Sequence, residues 1–239
     1  MKKILIALSV IVCAFSLNAQ NTDSENVKNH AACNKVCCGN VHNFTMSLGY
    51  GFALSGDHDA LLLNYNSDDS HNSKMRHGIN YRFDYDYKFH RNFKAGAVFN
   101  MYNSFDSYYA ADKSVGTSSD DRWLFYAGLS FSANTDVIKE HYTLFAKATM
   151  GYMNFRNAQR AYIETASQVA GTTYKKAALG YGIAAGASYS FNQYFSLDCF
   201  LDYMGASVSK LKTNDATFDL DKNENLSRIN LNVGVRLKL

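Results

Sequence analysis

The stretch "GINYRFDYDYKF", residues 78–89, decides the fold. Ile79, Tyr81, Phe83, Tyr85, Tyr87 and Phe89 fall on one parity, and Asn80, Arg82, Asp84, Asp86 and Lys88 on the other. Side chains of a strand point alternately to its two faces, so this segment reads as a strand with one aromatic-apolar face and one charged face. His90–Asn92 is a short turn. The alternation then resumes, with Phe93, Ala95, Ala97, Phe99 and Met101 against Lys94, Gly96, Val98, Asn100 and Tyr102. The two segments form a hairpin whose strands are long enough to cross a bilayer.

Six further segments repeat the pattern: 44–54, 122–133, 141–153, 177–191, 194–205 and 228–239. Residues 177–191, for example, set Leu179, Tyr181, Ile183, Ala185, Ala187, Tyr189 and Phe191 against Gly180, Gly182, Ala184, Gly186 and Ser188. Eight strands result, each near the length of about 9–11 residues that a tilted strand needs to span a membrane. Their connections alternate between short (90–92, 134–140, 192–193) and long and polar (55–76, 103–121, 155–175, 209–226). Short turns at one end and long loops at the other is the layout of a transmembrane barrel. The composition agrees: there are 17 Tyr, 16 Phe and no Pro, and proline is the residue a sheet ladder tolerates least. The expected fold is therefore all-β: an eight-stranded antiparallel up-and-down transmembrane barrel with short periplasmic turns and long extracellular loops.

A soluble sandwich or barrel could also alternate, with its apolar face inward. The aromatics argue for lipid instead. Tyr87, Phe89, Phe93, Tyr142, Tyr189, Phe191, Tyr194 and Phe195 gather near the short turns, and Tyr50, Phe52, Trp123 and Tyr203 near the long loops. Two girdles around an aliphatic band match the two interfaces of a bilayer. The opposite parity would then line the lumen with Arg82, Asp84, Asp86, Lys88, Lys94, Lys147, Asp198, Asp202, Arg228, Arg236 and Lys238. Asp86, Lys88, Lys94, Asp198, Arg236 and Lys238 share a low level, and Arg82, Asp84, Lys147 and Asp202 a middle one. Opposite charges at one depth should pair, because an unpaired buried charge is costly. The expectation is a lumen plugged by an ion-pair network. The small residues of 177–191 stand opposite the large charged ones of 78–89, which suits a filled interior.

Residues 1–19 carry the plan of a secretory signal peptide: Lys2 and Lys3, an apolar run from Ile4 to Phe15, then Leu17–Ala19. Residues 20–43 form a polar segment without periodicity, read as a flexible periplasmic tail, and the barrel is assigned to 44–239. The tail contains "ACNKVCCGNVH", residues 32–42. Cys33, Cys37 and Cys38 with His30 or His42 could supply four zinc ligands, but adjacent cysteines strain tetrahedral coordination. A disulfide with one spare thiol is the preferred reading, since export permits disulfides. Cys199 lies on the lipid-facing parity. The formal charge is +3, and +1 without Lys2 and Lys3, so bulk charge gives no case for nucleic-acid binding.

With strands, connections and leader assigned, residues 44–239 resemble the small eight-stranded outer-membrane barrels, of which the OmpA membrane domain and OmpX are examples. The terminal strand "RINLNVGVRLKL", 228–239, is similar to the C-terminal strand that outer-membrane assembly machinery recognises, although it ends in Leu239 where many members end in Phe. The resemblance implies a Gram-negative outer-membrane location, with loops at the cell surface and the N-terminus in the periplasm. It implies outer-membrane lipid, lipopolysaccharide and the assembly machinery as partners, and loops free to meet a surface ligand. It implies roles in envelope integrity or surface contact, without a cofactor or catalytic centre.

Two other classes stay open: a narrow, OmpW-like channel or carrier for a small or apolar solute, and a membrane-embedded enzyme. Asp57, His58, Asp59, Asp68, Asp69 and His71 in the first long loop, with His77 beyond, have the chemistry to bind a divalent cation. A solvated polar loop is preferred. Tyr102, Phe105, Tyr108 and Tyr109 suit a recognition surface; the preferred reading is an extension of the upper girdle or of a strand rising beyond the membrane.

Overall fold

The computed structural model describes residues 41–54, 73–109, 117–136, 141–163, 168–213 and 217–239. Its strands are β1 (His42–Ala53), β2 (His77–His90), β3 (Phe93–Tyr109), β4 (Thr117–Asp136), β5 (Tyr142–Ile163), β6 (Gln168–Ser190), β7 (Phe195–Lys212), β8 (Thr217–Asn225) and β9 (Arg228–Lys238). Sequential neighbours from β1 to β7 pair antiparallel, β9 pairs with β7, and β9 pairs with β1. One sheet therefore closes on itself as an eight-membered antiparallel ring. β8 pairs with the far end of β7, from Lys212↔Thr217 to Ser207↔Asn225. It is the upper half of the last stave, parted from β9 by Leu226 and Ser227.

Burial is inverted relative to a water-soluble protein. Leu129 is 74% exposed, Leu179 65% and Met46 63%, whereas Arg82 is 1% exposed and Asn232 fully buried. The exposed apolar residues run around every stave, for instance Phe44, Met46, Leu48 and Tyr50 on β1 and Ile229, Leu231, Val233 and Val235 on β9. An apolar exterior of that extent requires hydrocarbon, not water, as its solvent. On β5 the outward Tyr142 and Tyr152 lie ten residues apart, or ~25 Å along the barrel axis at the usual rise and tilt. That is the height of a barrel's apolar band.

The strands continue well past this band. The connections 103–121, 155–175 and 209–226, expected as loops, are largely strand. β3 and β4 stay in register to Tyr109↔Thr117, and β5 and β6 to Ile163↔Gln168. At the other end β4 runs on to Asp136, into the expected turn. In these extensions the buried inward face carries polar as well as apolar residues, Ser104, Asp106, Asp120 and Arg122 beside Phe155 and Leu211, so the apolar-polar alternation fades while the backbone ladder persists. Hydrophobic periodicity loses the strand there; hydrogen bonding does not. The staves consequently differ in height: β1 has 12 residues and β6 has 23. Residues 55–72, with Asp57, His58, Asp59, Asp68, Asp69 and His71, and the tail with His30, Cys33, Cys37 and Cys38, lie outside the described residues. His42, assigned to the tail, is the first residue of β1 instead, and its Nδ1 lies 2.9 Å from the Tyr85 hydroxyl.

Candidate functional site in the barrel lumen

The inward parity of eight staves puts polar groups from different strands at one depth, where they can find only each other. At the lower level the Arg236 guanidinium donates to Asp198 at 2.6 Å. Lys147 of β5 reaches across to β2, with its ammonium 2.7 Å from Asp84 and 2.9 Å from Asp86. Arg82 grips Asp84 with two parallel hydrogen bonds, Nε to Oδ2 at 2.8 Å and Nη2 to Oδ1 at 2.9 Å, and its Nη1 lies 3.5 Å from Asp202. A planar fork meeting a carboxylate edge-on gives direction as well as attraction. Two phenylalanines carry the contacts onward: Arg82 sits 5.4 Å over the Phe200 ring, Phe200 meets Phe145 edge-on at 5.8 Å, and Arg236 sits 5.4 Å over Phe145. Each guanidinium thus has a carboxylate on one side and a π face on another.

A second layer runs between Arg228 and Asp202. Arg228 Nη2 donates to Asn100 Oδ1 at 2.6 Å, Asn100 Nδ2 to Asn80 Oδ1 at 2.9 Å, and Asn80 Nδ2 to Asn232 Oδ1 at 2.6 Å. Asn232 Nδ2 then donates to Asp202, which also accepts from Asn230 at 3.1 Å. Three amides thus run head to tail from a buried cation to a buried anion. The asparagines stand on the inward parity of the sequence, but no pairing by charge could have selected them.

Above these layers the lumen turns apolar. Val98, Tyr102, Leu124, Tyr126, Met153, Phe155, Tyr174, Met204, Ala206, Val208, Leu211 and Leu226 form one buried cluster, with the Tyr102 hydroxyl donating to the Arg76 carbonyl at 3.0 Å. This cluster was not expected from the sequence. Tyr102, expected to extend the upper girdle or a rising strand, is fully buried, whereas Phe105 is exposed. Three inward glycines in cross-strand register, Gly128, Gly151 and Gly180, make room for it. The Tyr126 side chain lies where those of Gly128 and Gly180 would be, 3.1 Å from an added Cβ at Gly180. A cavity of about 10 Å³ lies between Thr45, Arg82, Lys147, Phe145 and Arg236; that is the room of a single water centre.

The structure corrects part of the expected charge set. Arg82, Asp84, Asp86, Lys147, Asp198, Asp202 and Arg236 are ion-paired. Lys94 is buried but has no carboxylate at ion-pair distance among the described residues, and Arg228 bonds Asn100 and lies 5.3 Å over Tyr102 instead. Lys88 and Lys238 are only half-buried at the lumen mouth; Lys238 donates to Ser190 at 2.7 Å. Asp86 pairs upward with Lys147 rather than with the lysines of its own level, because the long Lys147 stem spans two rows.

On the exterior, the aromatics Tyr50, Phe52, Tyr87, Phe89, Phe93, Tyr142, Tyr189, Phe191, Tyr194 and Phe195 are exposed, and Trp123 and Tyr203 are half-buried on the same face. Trp123 stacks on Phe125 at 5.8 Å, and Tyr142, Tyr189 and Phe191 pack ring against ring. Cys199 is an exposed free thiol on that face. Among the described residues no group of three or more His, Cys, Asp and Glu is placed to hold a metal ion.

No family model matches the chain, and no curated protein matches it. Solved structures similar to it are outer-membrane and surface proteins. Neisserial surface protein A shares 17% identity at a TM-score of 0.48, over 83% of this chain and 97% of that one. The attachment invasion locus protein Ail of Yersinia pestis shares 13% at 0.44, over 83% and 99%. A major outer membrane protein of Thermus thermophilus shares 12% at 0.49, over 83% and 99%.

Proposed function

We propose that the chain is an integral outer-membrane barrel with a closed lumen, serving as a structural anchor that holds its long connections at the cell surface. The observation that carries this reading is the layered interior: ion pairs below, an asparagine chain in the middle and an apolar cluster above. Between Thr45, Arg82, Lys147, Phe145 and Arg236 the lower layer leaves room for about one water. An eight-stranded barrel has just enough interior for side chains to fill, and the buried layers here support a filled lumen. In this reading the β1–β2 connection and the others at that end face outward, and the N-terminal segment with Cys33, Cys37 and Cys38 lies in the periplasm. Planar-bilayer recording from the purified, folded chain tests closure. No large, stable conductance is expected; a persistent open channel would favour the channel or carrier reading. Shortening the four long connections tests display, since a surface role must weaken with them.

A further inference from the structure

One row of the cross-strand register carries three cations side by side. Arg156 of β5 stands opposite Lys175 of β6, and Lys175 stands opposite Lys212 of β7. All three are exposed, and among the described residues none has a carboxylate at ion-pair distance. Arg160, exposed two rungs higher on the outward side of β5, adds a fourth charge. The nearby Asp121 of β4 is otherwise engaged, accepting from Asn103 at 2.7 Å. Like charges directly opposite each other in a sheet are destabilising, so a bound anion would stabilise this row.

Its height says which kind. Arg156 is four residues above Tyr152, the outward tyrosine at the top of the apolar band. That is ~10 Å along the axis, the depth at which lipid headgroups lie. Trp123, the chain's one tryptophan, stands opposite Arg156 on the other side, in the upper aromatic row. We infer that Arg156, Lys175 and Lys212 form a binding site on the outer wall for the phosphate groups of a phosphorylated glycolipid in the surrounding leaflet. The ammonium and guanidinium groups supply charge-assisted hydrogen bonds to phosphate oxygens, while Tyr152 and Leu179, lower on the same outward face, meet the acyl chains. The inference rests on the proposed orientation of the barrel, with this end in the outer leaflet.

Trp123 supplies the measurement. The full chain is folded in zwitterionic detergent micelles, and folding is checked by the mobility difference between unheated and boiled samples. Bisphosphorylated lipid A is then titrated while Trp123 emission is followed. Saturable binding is expected, weakened by increasing salt. It should fall at least about ten-fold in the combined variant Arg156→Gln, Lys175→Gln, Lys212→Gln, the equivalent of losing a single charge-assisted contact, and equally for lipid A stripped of its phosphates. The single variants Lys175→Gln and Lys212→Gln should fall in between, and they decide the matter if the triple variant does not fold. Equal binding by the variants or by the dephosphorylated lipid overturns the site. A response to inorganic phosphate matching that to the lipid overturns the lipid source. A chain showing no heat-dependent mobility and no detergent-stable fold would overturn the barrel reading and the site with it.

Discussion

Arg228 and Asp202 are joined through three asparagine side chains rather than by direct contact: Arg228 bonds Asn100, and Asp202 receives Asn232, with Asn80 between the two. Each amide in such a series donates at one end and accepts at the other, so its dipole points from cation to anion and each bond polarises the next. The barrel thereby links two buried charges through side chains of four staves, β9, β3, β2 and β7, without bringing them together.

The middle amide is the weak point of this arrangement. Asn80→Ala removes one acceptor and one donor, leaving the buried Asn100 amide hydrogen and the Asn232 carbonyl without partners. Each orphan costs roughly 1–3 kcal/mol. Urea unfolding followed by Trp123 fluorescence should show the loss, and adding Asn232→Ala to it should cost less than the sum of the two single changes, because the second orphan is removed. Strict additivity would mean the amides are wetted independently.

Lys147 holds two carboxylates at once, Asp84 at 2.7 Å and Asp86 at 2.9 Å. Lys147→Ala leaves Asp84 with Arg82 and strips Asp86 of its only cation at ion-pair distance among the described residues. Breaking a buried pair from one side costs about 3–5 kcal/mol. The double variant Lys147→Met, Asp86→Leu should recover much of that loss, since well-packed apolar groups replace buried charges with little penalty. The urea midpoint of the folded barrel decides both.

The glycine row predicts a ranking. A Cβ at Gly151 would collide with the Ala127 carbonyl oxygen and the Gly128 Cα, both backbone. At Gly180 it would meet the Tyr126 ring and the Met153 Cβ at 3.1 Å. Backbone cannot yield without spreading two staves, whereas a ring can tilt. Gly151→Ala should therefore cost about 1–3 kcal/mol. Gly180→Ala should fall near zero, its clash offset by the smaller entropy of the unfolded chain. Equal midpoints for the two variants would mean that the staves spread freely at this row.

What the sequence made legible was whatever the bilayer enforces. Between Phe93 and Met101 every outward residue must be apolar and each inward one need not be, so alternation marks the strand. Above Asn103 the outward face no longer has to be apolar and the buried inward face carries Ser104, Asp106, Asp120 and Arg122, so the sequence loses the alternation; only the ladder from Phe105, Asp106 and Ser107 to Asp121, Asp120 and Ser119 marks the strand. Inside, parity placed Arg82, Asp84, Lys147 and Asp202 in one space because charge is visible in a sequence. The partners Asp84 takes from two staves depend on side-chain reach, which is not. Tyr102, Tyr126, Met153 and Phe155 escaped because an apolar residue on the inward parity looks like an interruption of the pattern. Only the closed ring brings the four of them into one cluster.

Whether hydrocarbon truly surrounds the barrel can be read from a single outward position. Leu129 is 74% exposed and lies midway along β4 between Ala133, which pairs with the girdle residue Phe93, and Trp123. On a water-facing surface Leu129→Arg would change stability by no more than about 0.5 kcal/mol. At the midplane of a bilayer an arginine costs about 2–4 kcal/mol, falling to about 0–1 near the interfaces. Asn154→Arg supplies the second depth, since Asn154 stands opposite Phe125 and Ala177 near the top of the band. With the chain folded into phosphatidylcholine vesicles, the urea midpoint should drop sharply for Leu129→Arg and barely for Asn154→Arg. Small, equal shifts at both positions would place water, not lipid, against β4 and would undo the reading of its exposed apolar face.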